Sequence, residues 1–136
     1  IGEFVVEQKT KILVPAPLAP PRKPRRLGNI YEIRTYSLPP GGIPAMIKGW
    51  SEIIEERLKY SPLVAALYSE QGFTHEWVHI WAYQDAGERE RIRAAVVKAG
   101  IWPLSVVDAR LKRPPSVVTL RMQNMLVIPA SFSPLN

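Results

Sequence analysis

The side chains most capable of chemistry lie on two segments that are rich in β-branched and aromatic residues. Alternate positions of 29–36 carry charged or phenolic groups, and alternate positions of 75–83 carry imidazole, indole and phenol rings. Side chains two residues apart in a strand share one face, so each segment collects its polar groups on one side. The candidate pocket residues are Glu32, Arg34, Tyr36, His79, Trp81 and Tyr83.

His79 is the strongest single candidate, because a neutral imidazole can act as a base or bind a metal or a haem iron. The other imidazole, His75, lies four positions away on the same predicted strand face. That spacing corresponds to roughly 13 Å along a strand, which is too far for one metal ion. A hydrogen bond from His79 to a neighbour such as Glu32 or Arg34 is favoured, and we predict no metal site.

Glu32, Arg34 and Tyr36 share one strand face. Charged groups at alternate positions of a buried strand are costly unless they pair. They could form a polar pocket for a small ligand or an internal ion-pair network, and the network is favoured. The sequence has no context for a nucleophilic triad, no glycine-rich phosphate loop and no HExxH zinc motif, so we predict no catalytic residues.

Hydrophobic periodicity places these segments in the order β-α-β-β-α-(α)-β. The predicted strands are 29–38, 63–70, 75–83 and 117–128, and the predicted helices are 43–58, 85–98 and 102–111. This order predicts an α+β fold of the ferredoxin-like split β-α-β type, a four-stranded antiparallel sheet with helices on one face. The aromatic row on 75–83 would leave a large apolar patch if exposed, so we expect it to pack against the sheet of another copy.

Two segments that start 114 positions apart are similar. Residues 12–20 read ILVPAPLAP and residues 126–134 read LVIPASFSP, so each has three β-formers followed by Pro-Ala and a closing proline. We interpret residues 1–28 as the closing strand of a preceding repeat, predicted over 4–14, plus a Pro-rich linker, and residues 29–136 as a complete domain. Chance similarity between two apolar strands is the alternative.

The basic charge is concentrated at the N-terminal end. Residues 1–28 hold six basic and two acidic residues, which is +4 of the net charge of +6. The basic arm, defined as Arg22, Lys23, Arg25 and Arg26, lies among prolines without aromatic residues, which does not fit a nucleic-acid reader. It could be a docking arm for an acidic partner or for peripheral contact with anionic lipid, whereas its composition by itself favours a solvated linker. No apolar run reaches the roughly 18 residues of a transmembrane helix.

Four strings occur in order and resemble the NIPSNAP family over essentially all of 29–136. They are NIYEIRTY at 29–36, ERLKYSPLV at 56–64, VHIWAYQD at 78–85 and IPASFSPL at 128–135. The resemblance implies a dimeric α+β barrel, whose interior the candidate pocket residues would line. It also implies tandem domains, the first of which lies outside this sequence, and a mitochondrial, matrix-side location, with the bacterial cytoplasm as the alternative.

We therefore predict a non-enzymatic interaction or scaffold domain without a cofactor. The resemblance implies an accessory subunit of a mitochondrial inner-membrane or matrix assembly, with protein partners or a second copy pairing with the sheet and the basic arm docking on the assembly. The alternative is a small ligand- or haem-binding protein, or a monooxygenase-like enzyme, that uses the barrel interior around His79. That alternative rests on fold analogy.

Overall fold

An open sheet of five antiparallel strands, with helices on one face, forms the framework of the protein in a computed structural model that describes residues 4–21, 23–72 and 75–135. The strands are β1 Ile12–Pro15, β2 Ile30–Ser37, β3 Leu63–Gln71, β4 Glu76–Tyr83 and β5 Arg121–Val127. The helices are α1 Gly42–Ser51, α2 Ile54–Leu58, α3 Ala86–Lys98 and α4 Leu104–Arg110. The α+β class and the predicted order of elements are confirmed.

The strand order is β1-β3-β4-β2-β5, so the sheet has one strand more than predicted. The additional strand is β1, which pairs antiparallel with β3 at one edge. The predicted strand over 4–14 is wrong in extent, because only Ile12–Pro15 joins the ladder and the described residues before it are exposed coil. At the other edge, β5 pairs with β2 alone.

The helix predicted over 43–58 is two helices. The backbone leaves the helical region at Ile53, with φ −128°, and α2 then begins at Ile54. Ile53 and Ile54 are both buried. A straight helix turns neighbouring side chains about 100° apart, so the change of direction lets both isoleucines reach the core. It also directs Arg57 of α2 into the interior, where it is 2% exposed.

The start of α3 is fixed by two reciprocal capping interactions. The Asp85 carboxylate accepts a hydrogen bond from the backbone N–H of Glu88 at 2.7 Å, and the Glu88 carboxylate accepts one from the N–H of Gln84 at 2.5 Å. Such reciprocal bonds satisfy N–H groups that the first turn of a helix leaves unpaired. They hold α3 against the end of β4, over the charged face of the sheet.

The aromatic row of β4 does not face another copy, and that prediction is wrong. Trp77, His79 and Trp81 lie beneath the protein's own helices, with the Trp50 ring of α1 centred 5.0 Å from Trp77 and 4.8 Å from Trp102. Large rings fill the space between the sheet and the helices. The alternation of the strand was predicted correctly, but alternation does not say which layer covers which face.

The remaining strand ends also differ from the prediction. β4 begins at Glu76, since His75 lies in a turn with φ 62°. β5 is shorter than 117–128, and the segment before it is held by Asp108, whose carboxylate accepts hydrogen bonds from Ser116 N–H at 2.7 Å and from Arg113 Nε at 2.6 Å. This anchoring places 117–119 beside α4. None of the helices in the described ranges has the length and apolar character that crossing a bilayer requires.

Candidate functional site

The candidate pocket residues lie together on the helix-covered face of β2 and β4. The strand register places Glu32 opposite Trp81 and Arg34 opposite His79. Antiparallel neighbours in such register have their Cβ atoms about 5 Å apart. The sheet therefore joins the two segments that the sequence marked separately.

Glu32 is the centre of a buried ion network. Its carboxylate is fully buried and accepts hydrogen bonds from Arg34 Nη1 at 3.1 Å and Arg89 Nη2 at 2.6 Å. Arg93 Nη1 lies 3.7 Å from its second oxygen, and the Asn124 amide lies 3.4 Å from the first. Burial opposes ionisation, but the hydrogen bond from Arg89 and the charges of the three arginines hold the pKa of the Glu32 carboxyl below its ordinary value. Glu32 is therefore an anion at neutral pH.

Tyr36 joins this network through Arg34. Arg34 Nε donates a hydrogen bond to the Tyr36 hydroxyl at 2.9 Å, and its guanidinium carbon lies 5.4 Å from the centre of the phenol ring. Burial raises the pKa of Tyr36, against the opposing influence of the Arg34 charge. The phenol therefore keeps its proton at neutral pH. Since its oxygen accepts from Arg34, that proton is available to an acceptor elsewhere.

His79 has no exposed surface, and its hydrogen bond is not the predicted one. Trp81 Nε1 donates to His79 Nδ1 at 2.7 Å, in place of an interaction with Glu32 or Arg34. Burial, together with the charges of Arg34, Arg57 and Arg93, holds the pKa of His79 well below its ordinary value. The imidazole is therefore neutral, with its proton on Nε2, and Nε2 has no hydrogen-bond partner among the described residues.

Arg57 is a buried cation that the sequence analysis did not single out. Its guanidinium carbon lies 3.9 Å from the centre of the Trp81 ring, and Nη1 donates to Ser61 Oγ at 2.9 Å. Burial lowers the pKa of Arg57, and the neighbouring Tyr83 partly offsets this. Burial also raises the pKa of Tyr83. The sequence feature that could have identified Arg57 is its helical spacing, which places a cation at a position where a core side chain is expected.

A cavity of about 230 Å³ lies beside this face. Its lining residues are mainly apolar or aromatic and include Tyr36, Met46, Trp50, Trp102, Leu104 and Met122. Trp50 was not among the predicted pocket residues. Only Tyr36 belongs both to the predicted pocket and to the wall of this cavity.

The basic arm is apart from this site. Lys23, Arg25 and Arg26 are exposed, and Arg22 lies outside the described residues. Arg26 donates a hydrogen bond to the Asn29 side chain. Lys23 and Arg25 line a groove with Pro134 and Leu135 of the C-terminal segment. In the described part of the chain, no group of three His, Asp or Glu side chains could hold a metal ion.

Comparison with known proteins identifies relatives along most of the chain. The family model described as NIPSNAP matches residues 31–134. Protein NipSnap homolog 1 of Danio rerio is 31% identical over 82% of this chain and 38% of its own length. Protein NipSnap homolog 2 of Homo sapiens is 30% identical over 98% of this chain and 45% of its own length. The chain thus spans less than half the length of these relatives.

Solved structures of bacterial proteins have the same fold. Protein Atu4242 of Agrobacterium tumefaciens, described as a NIPSNAP family protein with unknown function, is 34% identical with a TM-score of 0.67, and the match covers 80% of this chain and 95% of that one. An uncharacterized NIPSNAP-like domain protein of Burkholderia xenovorans is 29% identical with a TM-score of 0.62, over 76% of this chain and 87% of that one.

Proposed function

The chain belongs to the NIPSNAP family, and on that premise we propose that it is a non-enzymatic interaction domain whose open sheet pairs with a second domain of the same fold. The observation that carries the proposal is the position of β1. This strand lies on the β3 edge of the sheet, outside the β-α-β-β-α-β order of the domain itself.

The similarity between residues 12–20 and 126–134 indicates which strand β1 corresponds to. If each segment closes a domain, β1 is the equivalent of the C-terminal end of β5, contributed by a neighbouring domain. Its pairing with β3 is then a contact between domains, in which Leu13 lies opposite Ser69 and Val14 lies opposite Tyr68. The closing strand of one domain extends the sheet of the next.

A two-fold arrangement makes this contact reciprocal. β5 uses one edge to pair with β2, and its other edge has no strand partner among the described residues. In the symmetric arrangement, the free edge of β5 pairs with β3 of the second domain, as β1 pairs with β3 here. Two sheets joined at both seams form a closed barrel, which leaves no exposed sheet edges.

The exposed side chains of β5 support its pairing with a second domain. Met122 and Met125 are 62% and 59% exposed, and Ile128, which follows the strand, is 77% exposed. An apolar strand with an unpaired edge promotes association in solution.

The proposal includes a setting, a scaffold or accessory subunit in a mitochondrial assembly, which the family resemblance implies. The exposed cations of the basic arm support docking on an acidic surface of such an assembly. Cell fractionation of the full-length protein, with and without alanine at Lys23, Arg25 and Arg26, tests this part. Absence of the protein from the mitochondrial fraction would contradict it.

Release of β1 from the β3 edge tests the reciprocal pairing. Val14→Pro removes a backbone N–H and disrupts the ladder, so β5 of a second copy gains access to β3 and we expect a dimer by analytical ultracentrifugation. The chain contains no cysteine, so Ile128→Cys and Tyr68→Cys added to this variant should form the covalent dimer under oxidising conditions.

The matched control is Val6→Pro, at a fully exposed position outside β1. This variant and the unchanged chain should sediment as monomers, because β1 still occupies the β3 edge. A folded Val14→Pro variant that stays monomeric and forms no cross-link would refute the reciprocal pairing.

A further inference from the structure

The cavity between α1, α4 and the helix-covered face of β2 and β5 has the size of a small ligand. Its volume is about 230 Å³. An apolar protein cavity of about 150 Å³ is enough for benzene, and pockets for drug-sized ligands run from about 300 to 1,000 Å³. The volume therefore suits one ring or a branched alkyl group with a short substituent, and it is too small for a haem.

The walls of the cavity are apolar except at one end, where a hydroxyl group lies. Trp50, Trp102, Leu104 and Met46 provide an apolar surface. Tyr36 provides a hydroxyl group that already accepts a hydrogen bond from Arg34 Nε at 2.9 Å. The phenol proton therefore points to a different acceptor. At this end, the cavity offers a donor beside a cation.

His79 packs behind the same rings and is not itself part of the cavity wall. Its ring centre lies 4.9 Å from that of Tyr36, 4.8 Å from that of Trp50 and 6.1 Å from that of Trp102, and these three residues line the cavity. Because Nδ1 accepts from Trp81, Nε2 carries the proton, and it has no acceptor among the described residues. His79 therefore adds a neutral ring behind the wall, and Tyr36 is the polar group that a ligand in the cavity can contact directly.

The charge around this donor end is positive. Arg34 and Arg93 lie near one carboxylate, that of Glu32, which also pairs with Arg89. Three guanidinium groups around one carboxylate leave a net positive charge. An anion at the Tyr36 end would be stabilised by that charge, whereas a cation would be repelled.

We infer that this cavity binds a small aromatic or branched alkyl carboxylate. The apolar part lies against Trp50, Trp102 and Leu104. A carboxylate oxygen accepts a hydrogen bond from the Tyr36 hydroxyl, and the charge of Arg34, which donates to the same hydroxyl, balances the anion. This site is independent of the pairing between domains.

Phenylacetate and its neutral counterpart 2-phenylethanol are suitable probes, since they share a ring and differ in the charged oxygen group. Titration of the full chain, followed by tryptophan fluorescence and calorimetry, should give saturable binding that is at least about tenfold tighter for phenylacetate, as expected for a charge-assisted hydrogen bond. Equal affinity for the two probes, or no saturable binding up to millimolar concentrations, would overturn the inference.

Variants locate the site. Tyr36→Phe removes only the hydroxyl and should weaken phenylacetate binding about tenfold while changing 2-phenylethanol binding little. Tyr68→Phe, on the same face but outside the cavity lining, is the matched control and should change neither. Leu104→Trp fills the cavity and should abolish binding of both probes. Thermal melts establish that each variant is folded, and undiminished phenylacetate binding by folded Tyr36→Phe would also overturn the inference.

Discussion

Replacing Glu32 with glutamine removes the negative charge from a cluster of three guanidinium groups while keeping the size of the side chain. Breaking a buried ion pair by removing one partner costs about 3–5 kcal/mol. The side chains of Arg89 and Arg93 are 20% and 38% exposed, so water can solvate part of the remaining charge. We therefore expect Glu32→Gln to lower the free energy of unfolding by about 3 kcal/mol, the lower end of that range.

Equilibrium unfolding in urea at pH 7 measures this change. Glu56→Gln is the matched control, because Glu56 pairs with Lys59 at 2.6 Å but both side chains are mostly exposed. Exposed pairs contribute about 0.5 kcal/mol or less. A loss for Glu32→Gln no larger than that of the control would refute the idea that Glu32 holds the three arginines together.

The pH dependence separates charge from shape. The pKa of Glu32 is depressed below its ordinary value of 4.5 in the folded protein, so its ionised form stabilises the fold above that value. The stabilisation is lost as the pH falls through the lower, folded-state pKa. The difference between the unchanged chain and Glu32→Gln should therefore shrink below about pH 4.5. A difference that stays constant down to acid pH would indicate a packing effect instead.

Two further predictions concern His79 and Gly28. Because the folded-state pKa of His79 is depressed, only the unfolded chain takes up a proton at this residue below pH 6.5. The free energy of unfolding, measured by urea titration, should therefore fall by roughly 1 kcal/mol between pH 7 and 5.5. This loss should be absent from His79→Gln and present in the His75→Gln control, and its persistence in His79→Gln would contradict the assignment to His79. A Cβ at Gly28 would lie 2.4 Å from the Tyr83 carbonyl oxygen, so Gly28→Ala should lower the melting temperature and cost about 2 kcal/mol. Gly87→Ala, whose Cβ meets only side-chain atoms at 3.2 Å, should cost little, and an equal effect of the two substitutions would contradict the close backbone approach.

Local patterns were enough to predict the order of the elements and the polar face of β2. The alternation of Glu32, Arg34 and Tyr36 is a property of one strand, and strand geometry determines that they share a side. The same holds for His79 and Trp81 on β4. The register that brings these two sets together depends on how β2 and β4 align, which neither strand pattern determines by itself.

The partners of Glu32 could not be predicted in the same way. Arg89 lies 57 positions away, in a Glu-Arg-Glu-Arg stretch of α3. A long arginine side chain can lie along a helix and still reach a buried carboxylate beneath it. Which face of α3 points inward depends on how the helix crosses the sheet, and no local pattern determines that.

The prediction that a second sheet covers the aromatic face of β4 was wrong for a related reason. Both faces of β4 are apolar, so hydrophobicity alone does not choose between helices and a second sheet. The size of the side chains distinguishes the two faces of β4. Trp77 and Trp81 fill the wide gap beneath the helices, whereas Val78 and Ala82 on the opposite face are small. In the proposed pairing, the outer face is the one that would meet the second domain, whereas the inner face borders the cavity.

The buried ion network and the outer surface of the sheet both depend on the register of β2. In β2, Glu32 and Arg34 face the helices, and Ile33 and Thr35 face outward. A shift of one residue would exchange the two sets and place the charges on the outer face. Gly28 lies against the backbone of Tyr83, and Asn29 N–H donates to the Tyr83 carbonyl at 2.9 Å. The contact at the start of β2 thus fixes the alignment on which the buried network and the outer surface both depend.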